Sequence, residues 1–203
     1  MPQKIRVVAI SGSLHPDSKT TRALRVAAAG AADAGAEVDL VDLREHRLPI
    51  LNSPHAPAGA AAEVERLQAR FRAADALLIA SPEYHGSFSG ALKNAFDLMG
   101  FDEFEGKMAA LVGVAGGALG ATNTLNHLRV VCRQLHAWVL PDQCSVADAS
   151  AAFDAAGAPT DPAAAERLRG LGVQLVKFAT LHREAGTNPF VRLWEQRIQN
   201  PGG

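Results

Sequence analysis

The sequence has little cysteine, no excess of charge of either sign and no long hydrophobic run. Its two cysteines, Cys132 and Cys144, are too few for a disulfide framework and lack zinc-site spacing. The formal net charge of -1 gives no electrostatic reason to expect nucleic acid or an anionic membrane as a partner. No apolar stretch could span a bilayer, and no basic leader precedes the first apolar run at Ile5. We therefore expect a cytoplasmic protein.

Polar aromatic residues are also scarce, and the common nucleotide-binding motifs are missing. Tyr84 is the only tyrosine, and no tryptophan precedes Trp138. The chain has no G-x-G-x-x-G fingerprint. The segment after the first apolar run does not fit a Walker A motif, because Asp17 stands where that motif has its second glycine. The seven histidines show no ligand cluster, so we predict no metal site.

Along the chain, short apolar runs typical of buried strands alternate with longer segments that have the spacing of helices. Near-continuous apolar runs, such as Ile5 to Ile10, are typical of strands buried on both faces of a parallel sheet. The predicted strands cover 5–10, 37–43, 76–80, 107–114 and 137–140, the last resuming around 144–146. The predicted helices cover 20–34, 61–73, 89–99, 122–135 and 163–183. Five strands with intervening helices predict an α/β fold whose parallel sheet is covered on both faces.

A hydroxyl-rich loop, residues 11–20, follows the first predicted strand. Ser11, Ser13, Ser18 and Thr20 lie where the strand gives way to a helix. Free backbone N–H groups and the positive end of the helix dipole favour a dianion at such a position, and hydroxyls add donors without charge. The loop predicts a site for a terminal phosphate monoester. The alternative is that Ser18 only caps the helix while the other hydroxyls shape a turn.

A second loop, residues 81–87, follows the third predicted strand, at the edge where open α/β sheets bind ligands. Pro82 stiffens it, and Gly86 permits the close approach of a ligand or a positive φ. Backbone groups from Glu83 to Gly86 could meet the polar edge of a planar ring, with Tyr84 against its apolar face. The alternative is that Tyr84 covers the core and Glu83 is solvated.

Together the two loops carry a family resemblance. The residues concerned are Gly12, Ser13, Leu14, Ser18 and Thr20, then Pro82, Glu83, Tyr84 and His85 with Gly90, Leu92, Lys93, Asn94 and Asp97. This pattern resembles the NADPH-dependent FMN reductase family, which includes related quinone, azo-dye and chromate reductases. The resemblance covers residues 5–183 and includes the pair Gly116 and Gly117. The chain departs from the pattern at His15, where arginine is common, and at His85, where asparagine is common.

The resemblance implies a flavodoxin-like three-layer sandwich with a five-stranded parallel sheet in the order 2-1-3-4-5. It implies FMN with its phosphate at residues 11–20 and its isoalloxazine ring against residues 82–85, approached by Gly116 and Gly117 from a third loop. The implied cofactor-binding residues are Ser11, Ser13, Leu14, His15, Ser18, Lys19, Thr20, Pro82, Glu83, Tyr84, His85, Gly86, Gly116 and Gly117. NADPH or NADH would be the co-substrate, and no catalytic side chain is required, because the flavin supplies the chemistry.

The implied function is an FMN-dependent NAD(P)H oxidoreductase. It would pass electrons through FMN to a small acceptor such as a flavin, a quinone, an azo compound or a metal oxyanion. Two alternatives stay open, namely a flavodoxin-type electron carrier and a flavin-binding sensor without turnover. Such carriers are typically strongly acidic and enclose the flavin between aromatic residues, whereas this chain is near neutral and has one tyrosine in its candidate loops.

A homodimer or homotetramer is the expected assembly. Phe101 and Phe104 lie in a charged, loop-like stretch, and exposed phenylalanines of this kind often mark an interface, although both could instead fold onto their own domain. A second apolar helical face in the tail consists of Phe190, Leu193, Trp194 and Ile198. In the related family, dimers and tetramers build the flavin site across subunits. We divide the chain into a reductase domain, 1–185, and a tail, 186–203, that could form a short helix.

Overall fold

The structure, a computed structural model, describes residues 3–184 of the chain. Five parallel strands form its sheet in the order β2-β1-β3-β5-β6, and a short strand, β4, pairs antiparallel with the end of β3. The strands are β1 (Arg6–Ser11), β2 (Glu37–Asp42), β3 (Ala76–Tyr84), β4 (Ser87–Phe88), β5 (Met108–Val114) and β6 (Trp138–Val146). Counted without the short β4, the strands have the predicted order 2-1-3-4-5, so the predicted sheet is confirmed.

Helices cover both faces of this sheet, as the sequence predicted. They are α1 (Lys19–Asp33), α2 (Ala60–Arg72), α3 (Gly90–Asp97), α4 (Phe101–Phe104), α5 (Thr122–Gln134) and α6 (Pro162–Glu184), with a 3-10 turn at Leu43–Glu45. One core lies between the sheet and the pair α1 and α6, and a second lies between the sheet and helices α2 to α5. The result is a three-layer sandwich.

Alternate strand residues enter the two cores, which explains the continuous apolar runs. In β3, Leu78 and Ala80 pack in the core of α1 and α6, whereas Leu77 and Ile79 pack in the opposite core. All four side chains are fully buried. Burying one leucine or isoleucine side chain contributes about 1.5–3 kcal/mol, so a strand with apolar residues at every position is stabilised from both layers.

The last strand crosses a proline that the sequence predicted to interrupt it. β6 continues from Trp138 through Pro141 to Val146. It lies at the edge of the sheet, where a residue without a backbone N–H is tolerated. Its register against β5 shifts between Ala109 and Leu111, which absorbs the extra residues as an irregularity.

β3 is longer than the sequence predicted. Residues 81–84, which we expected to be part of a linking turn, are a continuation of the strand. Pro82 lies opposite Val114 in the parallel pairing with β5, and Glu83 and Tyr84 pair with β4. The prediction of a turn from residue 81 was wrong because both pairing partners lie downstream in the chain, where the local pattern of β3 does not show them.

The two phenylalanines of the charged segment have different environments. Residues 101–104 form the short helix α4 rather than a loop. Phe104 is fully buried, with its ring centroid 5.6 Å from that of Phe71 and 5.1 Å from that of Phe96. Of the two alternatives left open for Phe104, exposure at an interface is wrong and folding onto its own domain is confirmed. Phe101 is 44% exposed and stacks on the ring of His136.

Both cysteines are buried free thiols rather than reactive groups. Burial raises the pKa of Cys132 to about 12 and that of Cys144 to about 11. Within residues 3–184, no helix is long and apolar enough to cross a membrane. The apolar tail face predicted from Phe190 to Ile198 lies outside the described residues.

Candidate functional site

The carboxyl ends of β1, β3 and β5 meet at one edge of the sheet. The strand registers place Ser11 beside Ala80 and Pro82 beside Val114, so the loops that follow these strands are neighbours. These are the β1–α1 loop (12–18), the hairpin between β3 and β4, and the β5–α5 loop (115–121). Ligands of open α/β sheets bind at this edge. The structure therefore brings the three groups of predicted site residues together.

Hydroxyl groups organise the β1–α1 loop from within. Ser18 is the N-cap of α1, and its Oγ accepts a hydrogen bond from the N–H of Thr21 at 3.0 Å. Ser11 Oγ and Thr21 Oγ1 share a hydrogen bond of 2.9 Å, and the N–H of Ser13 donates to Ser11 Oγ at 3.4 Å. Ser11 and Ser13 are both buried. The helix cap left open as an alternative is present, and Ser11 shapes the loop.

The first turn of α1 nevertheless retains unused backbone donors. The N–H groups of Lys19 and Thr20 make no hydrogen bond within the described part of the chain, as is usual for the first turn of a helix. Such N–H groups point at an incoming anion, and the helix dipole favours negative charge there. The end of α1 can therefore receive a phosphate group while Ser18 still caps it.

The charges around this helix end are predominantly positive. Lys19 Nζ lies 3.0 Å from one carboxylate oxygen of Asp17, and a guanidinium nitrogen of Arg22 lies 2.6 Å from the other. The hydrogen bond from Lys19, reinforced by Arg22, lowers the pKa of the Asp17 carboxyl group. One carboxylate thus faces two cations. The exposed His15 accepts a hydrogen bond from the N–H of Asp17 through Nδ1, so its ring helps to hold this turn.

A buried serine pair joins the first loop to the segment after β3. Ser89 Oγ donates to the carbonyl oxygen of Gly12 at 2.5 Å, and Ser81 Oγ accepts from the N–H of Ser89 at 3.0 Å. The contact requires a glycine, because a Cβ at position 12 would lie 2.8 Å from Ser89 Oγ and 2.9 Å from Leu92 Cβ. The sequence analysis placed Ser81 in the second loop but gave neither serine a role. The available signal was that Ser89 directly precedes a helix, whose N-cap it is.

The turn of the β3–β4 hairpin explains one departure from the family pattern. His85 and Gly86 have φ angles of 52° and 79°, as expected for a tight hairpin turn with two left-handed residues. Asparagine and histidine are among the few non-glycine residues that adopt this conformation readily. His85 therefore meets the same backbone requirement as the asparagine that is common at this position.

Glu83 and Ser87 attach the hairpin to α5. Glu83 Oε2 accepts a hydrogen bond from the N–H of Thr124 at 3.0 Å, and Oε1 lies 3.4 Å from Asn123 Nδ2. Ser87 Oγ and His127 Nδ1 are 3.0 Å apart. The alternative that Glu83 is simply solvated is wrong, because its carboxylate binds the first turn of the helix.

The β5–α5 loop contributes Gly116 and Gly117. Both are exposed, and an added Cβ at either position would meet no atom within 4 Å. Neither has a φ in the left-handed region, so the fold itself does not require glycine at these positions. Open space next to a glycine pair leaves room for a ligand to approach the backbone.

Three apolar side chains project from the loops at this edge. Leu14 is 53% exposed, Tyr84 is 53% exposed and Leu119 is 95% exposed. The alternative that Tyr84 covers the core is therefore wrong. Exposed apolar groups that come from three different loops form a surface suited to a planar organic ligand. Among residues 3–184, no group of three or more metal-ligating side chains is found.

Sequence comparison gives the family of the chain. The model of the NADPH-dependent FMN reductase family matches residues 5–151. The NAD(P)H-dependent FMN reductase of Pseudomonas aeruginosa is 36% identical over 174 residues, which are 83% of this chain and 92% of that protein. The probable NADPH:quinone oxidoreductase 2 of Oryza sativa subsp. japonica is 35% identical over 186 residues, 88% of this chain and 90% of that protein.

Structural comparison agrees with the sequence comparison. The flavoenzyme NAD(P)H:(acceptor) oxidoreductase FerB of Paracoccus denitrificans superposes with a TM-score of 0.71 at 26% identity, covering 88% of this chain and 98% of that chain. A flavodoxin from the domain Archaea superposes with a TM-score of 0.59 at 10% identity, covering 87% of this chain and 99% of that one, and this likeness shows the fold alone. The family model, the sequence relatives and the shared fold agree: this chain belongs to the NADPH-dependent FMN reductase family.

Proposed function

We propose that this protein is an FMN-dependent NAD(P)H oxidoreductase that passes electrons from a nicotinamide through bound FMN to a small acceptor. The acceptor classes in question are flavins, quinones, azo compounds and metal oxyanions. The family supports the cofactor and the reaction type. The observation that carries the proposal is the meeting of an anion-receiving helix end, a tight hairpin and an open glycine pair at one edge of the sheet.

The β1–α1 loop fits the phosphate group of FMN. The free N–H groups of Lys19 and Thr20 provide donors, Ser18 is the N-cap of the same helix turn, Ser13 lies in the preceding loop, and Lys19 adds positive charge. A phosphate dianion satisfies donors of this kind without a metal ion. We assign this loop, with Leu14 and His15 at its exposed rim, to the phosphate end of the cofactor.

The other two loops fit the ring system. The β5–α5 loop leaves open space beside Gly116 and Gly117, which admits a flat group against the backbone. The β3–β4 hairpin contributes the exposed Tyr84 and the turn at His85 and Gly86. When bound, FMN would supply the redox chemistry, which is acceptance of hydride from the nicotinamide and transfer of electrons to the acceptor. The residues of this protein would bind and orient it, and the cycle requires no protein acid or base. We assign residues 1–185 to the reductase domain and residues 186–203 to a C-terminal tail.

Turnover distinguishes this proposal from the electron-carrier and sensor alternatives. With FMN bound, initial rates measured at several concentrations of NADPH or NADH and of a quinone should give parallel double-reciprocal lines. Parallel lines are expected because both substrates would react in turn at the same exposed flavin. The measurement is steady-state kinetics with a quinone and with ferricyanide as acceptors.

Two outcomes would contradict the proposal in different ways. Intersecting lines would show that both substrates bind together, so the shared exposed site would be wrong. Stopped-flow mixing that leaves the flavin oxidised with both nicotinamides would favour a carrier or a sensor. Matched reactions with free FMN and no protein give the background rate.

We further propose that the protein acts as a homodimer or homotetramer in the cytoplasm. The exposed Leu14, Tyr84 and Leu119 beside the proposed flavin site give a second copy apolar surface to cover. Two buried free thiols suit a reducing compartment. Light scattering at micromolar concentration should give a multiple of 21.3 kDa, whereas a mass of 21.3 kDa would contradict the assembly.

A further inference from the structure

The base of the β3–β4 hairpin is held by the pairing of Pro82 with β5 and by the contacts of Ser89, whereas its outer part is held to the body of the protein through α5. On β3, Glu83 Oε2 accepts from the N–H of Thr124 at 3.0 Å, and on β4, Ser87 Oγ lies 3.0 Å from His127 Nδ1. The tip between these strands consists of His85 and Gly86, both with positive φ. A two-stranded hairpin this short is not stable alone, so its position depends on what it packs against.

α5 needs the carboxylate of Glu83 because it has no cap of its own. Its N-cap residue, Ala121, has no side-chain acceptor for the free N–H groups of the first turn. Glu83, which lies 41 residues before Thr124, supplies that acceptor across the fold. A negative group also interacts favourably with the positive end of the helix dipole. One side chain therefore serves as both helix cap and attachment point.

The helix end that Glu83 binds is fixed on its other side. Ser145 Oγ, at the end of β6, accepts a hydrogen bond from the N–H of Ala121 at 2.8 Å. The carbonyl oxygen of Gly117 accepts hydrogen bonds from the N–H groups of Gly120 and Asp148. The β5–α5 loop and the start of α5 thus form one fixed unit, and Glu83 joins the hairpin to it.

We propose that the side chain of Glu83 is a positioning residue that sets the gap between the hairpin and the Gly116–Gly117 loop. We call the hydrogen bond between Glu83 and Thr124 the clasp. The inference rests on the proposed function, because that gap is where the flavin ring is assigned. In the clasp, the Glu83 side chain acts on the protein and not on the cofactor. Direct contact with the cofactor is left to the backbone of the hairpin.

Replacement of Glu83 tests the clasp in the full-length protein. In E83A the hairpin should loosen, so hydrogen exchange of residues 84–88 in the apoprotein should become faster and FMN affinity should fall about tenfold, the lower end for a lost charge-assisted hydrogen bond. E83Q keeps an oxygen that can accept from Thr124 and should stay within about threefold of wild type. N123A removes only the 3.4 Å contact and should behave as wild type.

A second variant separates positioning from helix capping. Thr122 is exposed in the first turn of α5, so T122D in the E83A background supplies a negative charge to the helix without a link to the hairpin. We expect the double variant to regain apoprotein melting temperature but neither FMN affinity nor slow hairpin exchange.

Three results would overturn or redirect the inference. Unchanged FMN affinity and hairpin exchange in E83A would overturn the clasp. Recovery of FMN affinity by T122D would overturn positioning in favour of capping alone. If wild type does not bind FMN, the proposed function fails, and the hydrogen exchange of the apoprotein still decides whether the clasp holds the hairpin.

Discussion

FMN should bind this protein at least about a hundredfold more tightly than riboflavin. Riboflavin has no phosphate and therefore cannot form two charge-assisted hydrogen bonds of about 1.5–3 kcal/mol each. The donors are the free N–H groups of Lys19 and Thr20, in a helix end that has no other acceptor for them within the described residues. Riboflavin keeps the same ring, so the difference isolates the phosphate. Calorimetry with the two ligands measures it, and equal affinities would contradict the phosphate assignment.

Removing one serine hydroxyl at a time should weaken FMN binding by part of this difference. Ser13→Ala and Ser18→Ala should each weaken FMN binding by about 1–3 kcal/mol and leave riboflavin binding unchanged. Ser18 also caps α1, so its removal should lower apoprotein stability by about 1 kcal/mol. Ser150→Ala is the matched control, since Ser150 is exposed in the loop after β6. Loss of riboflavin binding in parallel with FMN would show that the variants act through folding.

Gly172→Ala should destabilise the protein by about 3 kcal/mol or more, the upper range for forcing extra volume into a packed interface. A Cβ at this position would lie 1.9 Å from the carbonyl oxygen of Ala27 and 2.7 Å from the backbone nitrogen of Ala31. Both are backbone atoms of α1, so α1 and α6 would have to separate. At roughly 2–4 °C per kcal/mol for a chain of this size, the melting temperature should fall by about 6–12 °C.

Gly170→Ala is the control within the same helix. No atom lies within 4 Å of a Cβ there, so the substitution should stabilise α6 by about 0.5–1 kcal/mol through its better helix propensity. Gly30→Ala, whose Cβ would lie 2.1 Å from the carbonyl oxygen of Arg169, should destabilise as Gly172→Ala does. Thermal unfolding of the apoproteins tests all three, and equal melting temperatures for the two α6 variants would contradict the close helix crossing.

The helix crossing also connects stability with the site. α1 carries the anion-receiving turn at its amino end, and its packing against α6 holds that turn beside the sheet edge. A variant that separates the helices should therefore weaken FMN binding as well as folding, in contrast to Ser13→Ala, which should weaken binding alone.

The sequence predicted the sheet because the signal for each strand is local. Buried strands need apolar residues at every position, and the run through Leu77, Leu78 and Ile79 shows this without reference to the rest of the chain. The order of the strands was not local information. It followed from the resemblance of the two loop motifs to a family, and the structure confirms it.

The site was only partly predictable for a related reason. Sequence placed hydroxyls at a strand–helix junction and a proline, a tyrosine and a glycine after another strand, which identified the loops. It did not show that Ser89 binds the carbonyl oxygen of Gly12 across 77 residues, because nothing near Ser89 indicates that partner. It likewise left open whether Phe104 is exposed or buried, because the charged residues around it give no sign of its contacts with Phe71 and Phe96.

The sequence by itself determined the five strands of the parallel sheet and the five long helices, which two loops have the composition of a ligand site, and, through its motifs, the family. Only the tertiary structure decided that β3 continues to Tyr84, that Glu83 binds α5 and that α1 and α6 cross at Gly30 and Gly172. Periodicity is set by neighbours within a few residues, whereas Glu83 and Thr124 are 41 positions apart and α1 and α6 lie near opposite ends of the described chain. Such contacts stabilise the protein only after the sheet has formed and brought the segments together.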